Sequence, residues 1–238
     1  MRSAPLLLLV LAATPLAAEK PPEYDVIPLP GGSLRITFLG HGTLMLDYNG
    51  WVIHVDPVGA EADYAVLPPA DLVLITHEHS DHLDPKAVAR ITRPGTVIVA
   101  NQASAAKLHG AVALHYGETK TVGSVQIEAV PAYNTTAGRD RFHPKGRDNG
   151  YLLTIEGQRI YIAGDTELTP EMKGLKDINI AFLPMNQPYT MTPEQVAKAV
   201  RAFRPRILYP YHFGDTDTDR LTALLEGKDV EVRIRSLQ

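Results

Sequence analysis

The chain repeats one order of strand signals, and this repeat limits the possible folds more than any other feature of the sequence. In the first copy, two β-rich segments flank the Asn-Gly pair at 49–50, which is the strongest short-range signal for a β-hairpin. In the second copy, two further β-rich segments flank Glu-Gly at 156–157. Each hairpin is followed by an apolar strand that begins with an aspartate, Asp71 or Asp177. The chain is therefore expected to fold as two related halves.

Helix signals occupy the intervals between the predicted strands. Asp84 precedes a proline as a helix N-cap, and Thr192 opens a capping box that Gln195 completes. Strands and helices alternate in both halves, so the sequence predicts an α/β sandwich with helices on its outer faces. No low-complexity linker separates the halves, and residues 19–238 are therefore expected to form a single domain.

The N-terminal residues 1–18 have a composition of their own. Arg2 supplies a positive charge, residues 6–13 are all apolar, and residues 15–18 read Pro-Leu-Ala-Ala. This order is typical of a cleaved secretory signal, and the apolar stretch is too short for a membrane span. We therefore expect a signal peptide at 1–18 and a periplasmic or secreted protein that has no membrane span once the signal is removed.

Composition narrows the choice of partners and of metal ligands. A formal net charge of −4 provides no basic surface, so nucleic acid is not an expected partner. Cysteine is absent, which excludes disulfides, thiolate ligands and a cysteine nucleophile. Any metal ion must therefore be held by nitrogen and oxygen.

The segment His-Glu-His-Ser-Asp-His at 77–82 places three imidazoles and two carboxylates in six residues, directly after a short apolar run. Imidazole and carboxylate are the usual protein ligands of zinc and similar divalent ions. In an extended chain His77 and His79 point the same way, so both can bind one ion. The helix that begins soon afterwards requires a bend, which turns Asp81 and His82 towards a second position. Two ions roughly 3.5–4 Å apart can hold a hydroxide between them and so provide a nucleophile at neutral pH.

Two further ligand candidates lie at the ends of later predicted strands. Asp165 follows a glycine that permits close approach, and His212 ends the run Tyr-Pro-Tyr-His. Each is a weak signal alone, because an aspartate after a strand is commonly a turn residue and a single histidine commonly has a structural place. Since α/β folds place their ligands at strand ends, both are expected to join the hexapeptide at a metal centre.

The His-x-His-x-Asp-His spacing at 77–82, the Gly-Asp-Thr at 164–166 and the late His212 resemble the metal-binding motifs of the metallo-β-lactamase superfamily. The resemblance covers about residues 33–214, and within the superfamily it is similar to sugar-acid lactonases and N-acyl phospholipid phosphodiesterases. It implies a four-layer αββα sandwich with two mixed sheets and outer helices. It also implies a division of the ligands: His77 and His79 at a first ion, Asp81, His82 and His212 at a second, and Asp165 bridging the two.

The chain departs from the superfamily pattern at the third ligand of the first ion. The superfamily has a histidine on the loop after a strand that precedes Gly-Asp-Thr, and this chain has Tyr133 and Asn134 there. Three accounts are open. Tyr133 or Asn134 supplies an oxygen ligand, His143 reaches in from the same long loop, or the first site is depleted. We favour His143.

The loop that carries His143 and a later loop before Thr192 are the expected sources of substrate contacts. The first is basic and includes Lys145 and Arg147, which favours a phosphate or carboxylate substrate, although nearby aspartates balance part of its charge. The second contains Asn186 and Tyr189, which are candidates for the pocket rim and for contact with a developing oxyanion.

The residues and the resemblance together predict an exported hydrolase that directs a metal-bound hydroxide at an ester, lactone, amide or phosphodiester of a small molecule. One or two divalent ions are expected, zinc first, with manganese or iron as alternatives. Asp81 is the expected catalytic residue, since it can accept a proton as well as bind the ion. Two alternatives are a β-lactamase proper, which is known for a cysteine where this chain has Asp165, and a non-catalytic metal-binding protein.

Overall fold

A computed structural model describes residues 21–237 of the chain. The predicted signal peptide at 1–18 lies outside these residues. Within them, fourteen strands form two sheets of seven strands each, and five helices connect or cover the strands. The first sheet contains, in spatial order, β1 (Tyr24–Leu29), β2 (Gly32–Gly40), β3 (Thr43–Tyr48), β4 (Trp51–Val55), β5 (Leu72–Ile75), β6 (Val97–Ala100) and β7 (Val112–Ala113). The second contains β8 (Thr119–Val122), β9 (Val125–Ala132), β10 (Asp148–Ile155), β11 (Gln158–Ile162), β12 (Ile178–Pro184), β13 (Ile207–Tyr211) and β14 (Glu231–Val232).

The two sheets share one plan. In each, the first four strands pair antiparallel with their neighbours, and the last three join parallel to the fourth. The Asn-Gly and Glu-Gly pairs predicted as hairpin turns connect β3 to β4 and β10 to β11. The repeat seen in the sequence is therefore a repeat of a whole mixed sheet.

Two of the five helices in residues 21–237 begin where the sequence places their caps. They are α1 (Pro85–Ile91), α2 (Gln102–Ala105), α3 (Pro170–Lys173), α4 (Pro193–Phe203) and α5 (Thr218–Leu225). The Asp84 side chain accepts from the Lys86 N–H at the start of α1, and Thr192 with Gln195 forms the predicted capping box at the start of α4. None of the helices in residues 21–237 is both long and apolar enough to cross a bilayer.

The main hydrophobic core lies between the sheets. Leu46 and Ile53 of the first sheet share one buried cluster with Leu153 and Ile160 of the second. Burying each such side chain contributes about 1.5–3 kcal/mol, so the interleaved faces hold the two halves together.

The outer layers complete the predicted four-layer αββα sandwich. Alternate residues of β5, including Val73, face away from the core and pack under Val88 and Ile91 of α1. On the second sheet, Phe203 of α4 lies edge-on to Tyr161 of β11, with ring centroids 6.1 Å apart. The two sheets meet at the end of β5, where the Tyr151 hydroxyl donates to the Ile75 carbonyl. The loops that follow the parallel strands leave the sandwich at this edge.

Candidate metal centre

Six of the nine histidines of the chain meet at this edge of the sandwich, together with two aspartates. Each comes from a loop that follows a strand. The loop after β5 carries His77, His79, Asp81 and His82, the segment after β11 carries Asp165, the loop after β13 carries His212, the turn after β2 carries His41, and the loop from β9 to β10 carries His143. The predicted ligands from both halves of the chain are therefore brought to one place.

Three histidines form the first ligand group. His77 Nε2 and His79 Nδ1 are 3.1 Å apart, and ligand atoms of His77, His79 and His143 all lie within 4.8 Å of one another. His143 is almost fully buried and its Nε2 is 3.4 Å from Asp165 Oδ2. Of the three accounts of the missing ligand, the geometry favours His143.

A second group lies beside the first. His212 Nε2 is 3.5 Å and His82 Nε2 is 3.9 Å from Asp81 Oδ2, and the imidazoles of His82 and His212 stack with centroids 5.1 Å apart. Nitrogens and oxygens of His41, Asp81, His82 and His212 lie within 4.8 Å of one another. This group contains all the residues expected at a second ion, with His41 in addition.

Asp165 lies between the two groups. Its Oδ1 is 3.4 Å from His82 Nε2, and its Oδ2 is 3.3 Å from His212 Nε2 and 3.4 Å from His143 Nε2. The same Oδ2 is 4.0 Å from His77 Nε2. A carboxylate that faces both groups at comparable distances is suited to bridge two cations.

Unpartnered polar atoms indicate what the cluster is built to bind. His82 Nε2, His212 Nε2 and Asp165 Oδ1 are buried and have no hydrogen-bond partner among the described residues. Leaving one buried polar atom without a partner costs about 1–3 kcal/mol. A divalent cation satisfies all three, and an all-nitrogen and oxygen donor set suits zinc, manganese or iron. The residues present therefore fit a divalent metal ion.

Two buried carboxylates fix the orientation of the imidazoles. Asp56 Oδ2 is 2.8 Å from His82 Nδ1, and Asp148 Oδ2 is 2.9 Å from His143 Nδ1. Each pair occupies Nδ1 and leaves Nε2 aimed at the centre, as is usual for histidines that bind metals. The Thr76 hydroxyl donates to Asp56 at 2.6 Å and so holds that carboxylate in place. Neither Asp56 nor Asp148 was expected at the centre from the sequence, where Asp148 was only one of the aspartates that balance the basic loop.

The electrostatics of the cluster favour a bound cation. Burial raises the pKa of Asp81, but hydrogen bonds with His212 and His41 outweigh it and hold that pKa well below its usual value. Burial likewise raises the pKa of Asp165, and nearby His212 and His82 lower it overall. Burial and the surrounding histidines lower the pKa of His77. The two aspartates are thus charged and His77 neutral, which are their metal-binding forms.

His82 differs from the other histidines in its protonation. Burial lowers its pKa, but the carboxylates of Asp165 and Asp56 together raise it to about 9. In the metal-free protein His82 therefore holds a proton at neutral pH. A metal ion must displace that proton before Nε2 can bind it.

His41 is a member of the cluster that was not among the ligands expected from the sequence. Its φ is 46°, its N–H donates to the Leu237 carbonyl, and its own carbonyl accepts from the N–H of His212. The ring then lies 3.8 Å from that of His212, with Nε2 3.3 Å from Asp81 Oδ2. A Cβ at Gly42 would lie 2.7 Å from His82 Cε1, so the turn can approach only through glycine. A histidine between two glycines at a strand end was the available signal.

The two candidate oxygen ligands have other partners. The Tyr133 hydroxyl donates to Glu171 at 2.8 Å and accepts from Lys145. The Asn134 amide donates to the carbonyls of Arg139 and Tyr189, while its buried Oδ1 has no partner among the described residues. Tyr133 is therefore committed to a neighbouring ion pair, and only the Asn134 oxygen is available.

The candidate substrate contacts are divided between residues held in ion pairs and residues at the rim. Lys145 Nζ is 3.1 Å from Glu171, and Arg147 binds Asp148 while its Nη2 lies 3.3 Å from His79 Nε2. Tyr189 is 44% exposed, and the neighbouring Asn186 fixes the turn that precedes α4 through its backbone. Arg147 thus borders the first ligand group, whereas Lys145 points towards α3.

One cavity in residues 21–237 lies away from the histidine cluster. It has a volume of about 1270 Å³ and is lined by the beginnings of β12 and β13 and by the end of α4. The cavity lies at the N-terminal ends of β12 and β13, whereas the histidine cluster lies at the C-terminal ends of these strands. None of the ligand candidates lines this cavity, so the chemistry of the cluster, and not the size of a cavity, identifies the site.

Comparison with known proteins gives four informative similarities. A family profile described as "Beta-lactamase superfamily domain" matches residues 35–212. A UPF0173 metal-dependent hydrolase of Thermococcus kodakarensis is 33% identical over 198 residues, which cover 76% of this chain and 84% of the relative. A crystal structure from Parabacteroides distasonis is 55% identical, with a TM-score of 0.89 over 91% of this chain and 100% of its own. A metallo hydrolase of Ignicoccus hospitalis, at 23% identity, a TM-score of 0.72 and coverage of 85% and 95%, supports the fold alone.

Proposed function

The chain belongs to the metallo-β-lactamase superfamily and is a metal-dependent hydrolase, and from this premise we propose that it cleaves an ester, lactone, amide or phosphodiester bond of a small molecule. One observation carries the proposal. Three buried ligand atoms, on His82, His212 and Asp165, have no hydrogen-bond partner within residues 21–237 and converge between two histidine groups.

The two groups define the ligands of two ions in this proposal. His77, His79 and His143 hold the first, Asp81, His82 and His212 hold the second, and Asp165 bridges them. Divalent ions at such a centre supply a Lewis acid and a nucleophile at neutral pH. Zinc is the ion that we propose first, because imidazole and carboxylate are its usual ligands.

Asp81 is the catalytic residue of this proposal because it is both a ligand and accessible. Its side chain is 46% exposed, and Oδ2 faces His41 Nε2 at the open side of the cluster. The low pKa of Asp81 keeps it ionised, so its carboxylate accepts hydrogen bonds from the attacking water and orients it. His41 in turn holds the carboxylate at that angle.

The substrate need not carry the negative charge that the basic loop first indicated. Arg139, Lys145 and Arg147 each form an ion pair within the protein, with Glu167, Glu171 and Asp148. Charges that are neutralised in this way attract a distant anion only weakly. We therefore do not extend the proposal to a substrate that must be anionic. Export to the periplasm or medium stays part of the proposal, on the N-terminal sequence alone.

Metal analysis and hydrolysis assays on the purified protein test the proposal. We expect two equivalents of zinc by mass spectrometry and cleavage of at least one member of a panel of p-nitrophenyl esters, lactones, anilides and phosphodiesters. Asp165→Ala should lose metal and activity together, because Asp165 contacts both groups. Asp229→Ala, an exposed aspartate at the other end of the second sheet, is the matched control. Two bound equivalents without cleavage of any panel member would refute the proposed reaction.

A further inference from the structure

The cavity at the N-terminal ends of β12 and β13 is lined by cations that have no counter-ion. Arg204, Arg206 and Lys228 are exposed there, and their side chains form no hydrogen bond or ion pair among the described residues. A fourth cation of the lining, Arg201, donates to the Leu224 carbonyl but likewise has no ion pair in residues 21–237. The formal net charge of the chain is −4, so this concentration of free positive charge is local. We call the cavity the basic groove.

The register of the strands brings two of the polar residues of the groove together. β12 and β13 run parallel with Ile180 opposite Ile207. The residues before this pair, Asn179 and Arg206, therefore lie side by side at the starts of strands that are about 4.8 Å apart. The Arg206 N–H donates to the Ile178 carbonyl and so joins the two strands at this point. Both Asn179 and Arg206 line the groove.

The polar atoms that these residues leave free are hydrogen-bond donors. Asn179 Oδ1 accepts from the Arg159 N–H at 2.8 Å, whereas Asn179 Nδ2 has no hydrogen-bond partner in the part of the chain that the structure describes. The side chains of Arg204, Arg206 and Lys228 can only donate. A set of free donors that also carries positive charge fits an oxyanion, and arginine binds phosphate through two parallel hydrogen bonds.

The carboxylates of the lining do not cancel this positive charge. Glu231 Oε1 lies 2.8 Å from Arg233 Nε, so that carboxylate already has a counter-ion. Asp229 is then the one carboxylate of the lining without an ion pair among the described residues, against four such cations. The groove therefore keeps a net positive charge with which an anion can pair.

Two of the free cations also lie near helix ends. Arg204 caps the C-terminus of α4, and Lys228 follows that of α5, where the helix dipole favours a cation without any ligand. Arg206 lies beyond the last turn of α4, at the start of β13, and the dipole falls off within that turn. Arg206 is therefore the cation that separates an anion site from mere compensation of the helix ends.

An apolar wall faces the same cavity from the first sheet. Val26 and Pro28 of β1 line the groove, and Val200 and Val230 add to its apolar surface. Val26 is 52% exposed and is one of four large hydrophobic side chains that are exposed in residues 21–237. The groove thus offers an apolar surface and a positively charged surface to one occupant.

We propose that the basic groove binds a small organic phosphate, with the phosphate against Arg206 and the apolar body against Val26. A phosphate monoester carries a charge of about −1.5 to −2 at neutral pH and has three acceptor oxygens, so it satisfies several donors at once. The volume of about 1270 Å³ is sufficient, since pockets for small molecules measure roughly 300–1000 Å³. The site is separate from the metal centre, which lies at the other ends of β12 and β13, and it does not depend on the reaction proposed there.

Alkylphosphonates test the groove because their C–P bond resists hydrolysis. We would titrate zinc-loaded protein calorimetrically with hexylphosphonate, methylphosphonate and hexyltrimethylammonium, and repeat the hexylphosphonate titration after a chelator has removed the zinc. Hexylphosphonate should bind at least about ten-fold more tightly than methylphosphonate, because its apolar body is buried. Hexyltrimethylammonium, which has the opposite charge, should not bind. Binding of hexylphosphonate should persist without zinc, because no proposed metal ligand lines the groove.

Substitutions separate the charged surface from the apolar one. Arg206→Gln should weaken hexylphosphonate binding by about ten-fold, because it removes a charge-assisted donor pair. Val26→Thr keeps the shape of the side chain and should reduce the difference between the hexyl and methyl compounds. Arg90→Gln, an exposed arginine of α1 without an ion pair in residues 21–237, is the matched control and should leave binding unchanged. The melting temperature of each variant checks that it is folded.

Four outcomes would overturn the proposal. Binding that disappears with the zinc would place the phosphonate at the metal centre. Binding by Arg206→Gln that equals that of the unaltered protein would leave the cations as compensation for the helix ends. Equal weakening by Arg206→Gln and Arg90→Gln would indicate general attraction of anions and no specific site. Binding to phosphatidylglycerol vesicles but not to hexylphosphonate would assign the cations to a membrane surface.

Discussion

Asp148 and Asp56 give the sharpest test of the two-group assignment, because each is the buried carboxylate behind one ligand of a different ion. Asp148 Oδ2 contacts His143 of the first group, and Asp56 Oδ2 contacts His82 of the second. Asp148→Asn and Asp56→Asn keep size and shape but remove the charge and place an amide where the Nδ1–H needs an acceptor. Each variant should therefore weaken one ion and spare the other.

The magnitude follows from how many contacts each carboxylate makes. Loss of such a supporting carboxylate costs about 10–100-fold in metal affinity, or about 1.4–2.7 kcal/mol. Asp148 also binds Arg147 through Nε at 2.6 Å and Nη2 at 2.9 Å, and Arg147 Nη2 reaches His79. Because Asp148→Asn disturbs two proposed ligands of the first ion, we expect its loss of metal affinity to lie near the upper end of that range. Asp56 accepts hydrogen bonds from the N–H and the hydroxyl of Thr76. The loss of metal affinity in Asp56→Asn should therefore lie near the lower end of the range.

The assay is a stepwise zinc titration against a chromophoric chelator, fitted to two dissociation constants. In Asp148→Asn one constant should weaken by about 100-fold, and in Asp56→Asn the other by about 10-fold. Asp140→Asn, an exposed aspartate of the same loop as His143, is the matched control and should leave both unchanged. If both variants weaken the same binding step, or if Asp148→Asn binds two ions with the constants of the unaltered protein, the assignment of His143 to a separate first ion is wrong.

Two other consequences are measurable. The pKa of about 9 keeps His82 protonated in the metal-free protein, so zinc binding at pH 7.5 should release a proton from it. The calorimetric enthalpy of zinc binding should therefore change with the ionisation enthalpy of the buffer. A binding enthalpy that is the same in all buffers would contradict this prediction. Asp25→Asn should destabilise the metal-free protein by about 2 kcal/mol at pH 7, because Asp25 accepts hydrogen bonds from Arg233, Arg235 and Tyr209. Burial raises the pKa of Asp25, but these bonds lower it overall, so the stabilisation is complete above the unfolded pKa near 4 and disappears as the pH falls through the folded pKa. Urea unfolding of the unaltered protein and of Asp25→Asn should show that their difference in free energy of unfolding is smaller at pH 3 than at pH 7. A difference that is the same at both pH values would contradict the prediction.

Local patterns in the sequence predicted many of the elements and most of the residues that meet at the cluster. The Asn-Gly hairpin, the caps at Asp84 and Thr192 and the His-x-His-x-Asp-His spacing depend on neighbours a few residues away, and such neighbours are visible in one chain. The structure places the predicted ligands together, and the family comparison identifies the fold. The sequence alone could not show which residues that are far apart along the chain contact each other in the fold.

His41 and Asp148 illustrate that limit. His41 reaches the cluster because its backbone is held by Leu237 at the other end of the chain and by His212. Asp148 became important only when the loop from β9 folded back and set it against His143. Neither residue was expected at the cluster, since the spacing between partners depends on loop length and not on a local period.

The duplicated plan of the fold explains why the centre is asymmetric. Asp56 follows the fourth strand of the first sheet, and Asp165 follows the fourth strand of the second. His82 lies between these two equivalent aspartates, with Nδ1 2.8 Å from Asp56 Oδ2 and Nε2 3.4 Å from Asp165 Oδ1. One imidazole can bind a cation through Nε2 only while Nδ1 has a different partner, so the two copies must differ in function. In the proposed centre the first aspartate therefore orients His82 and the second would itself be a ligand, a division that a symmetric pair of halves could not provide.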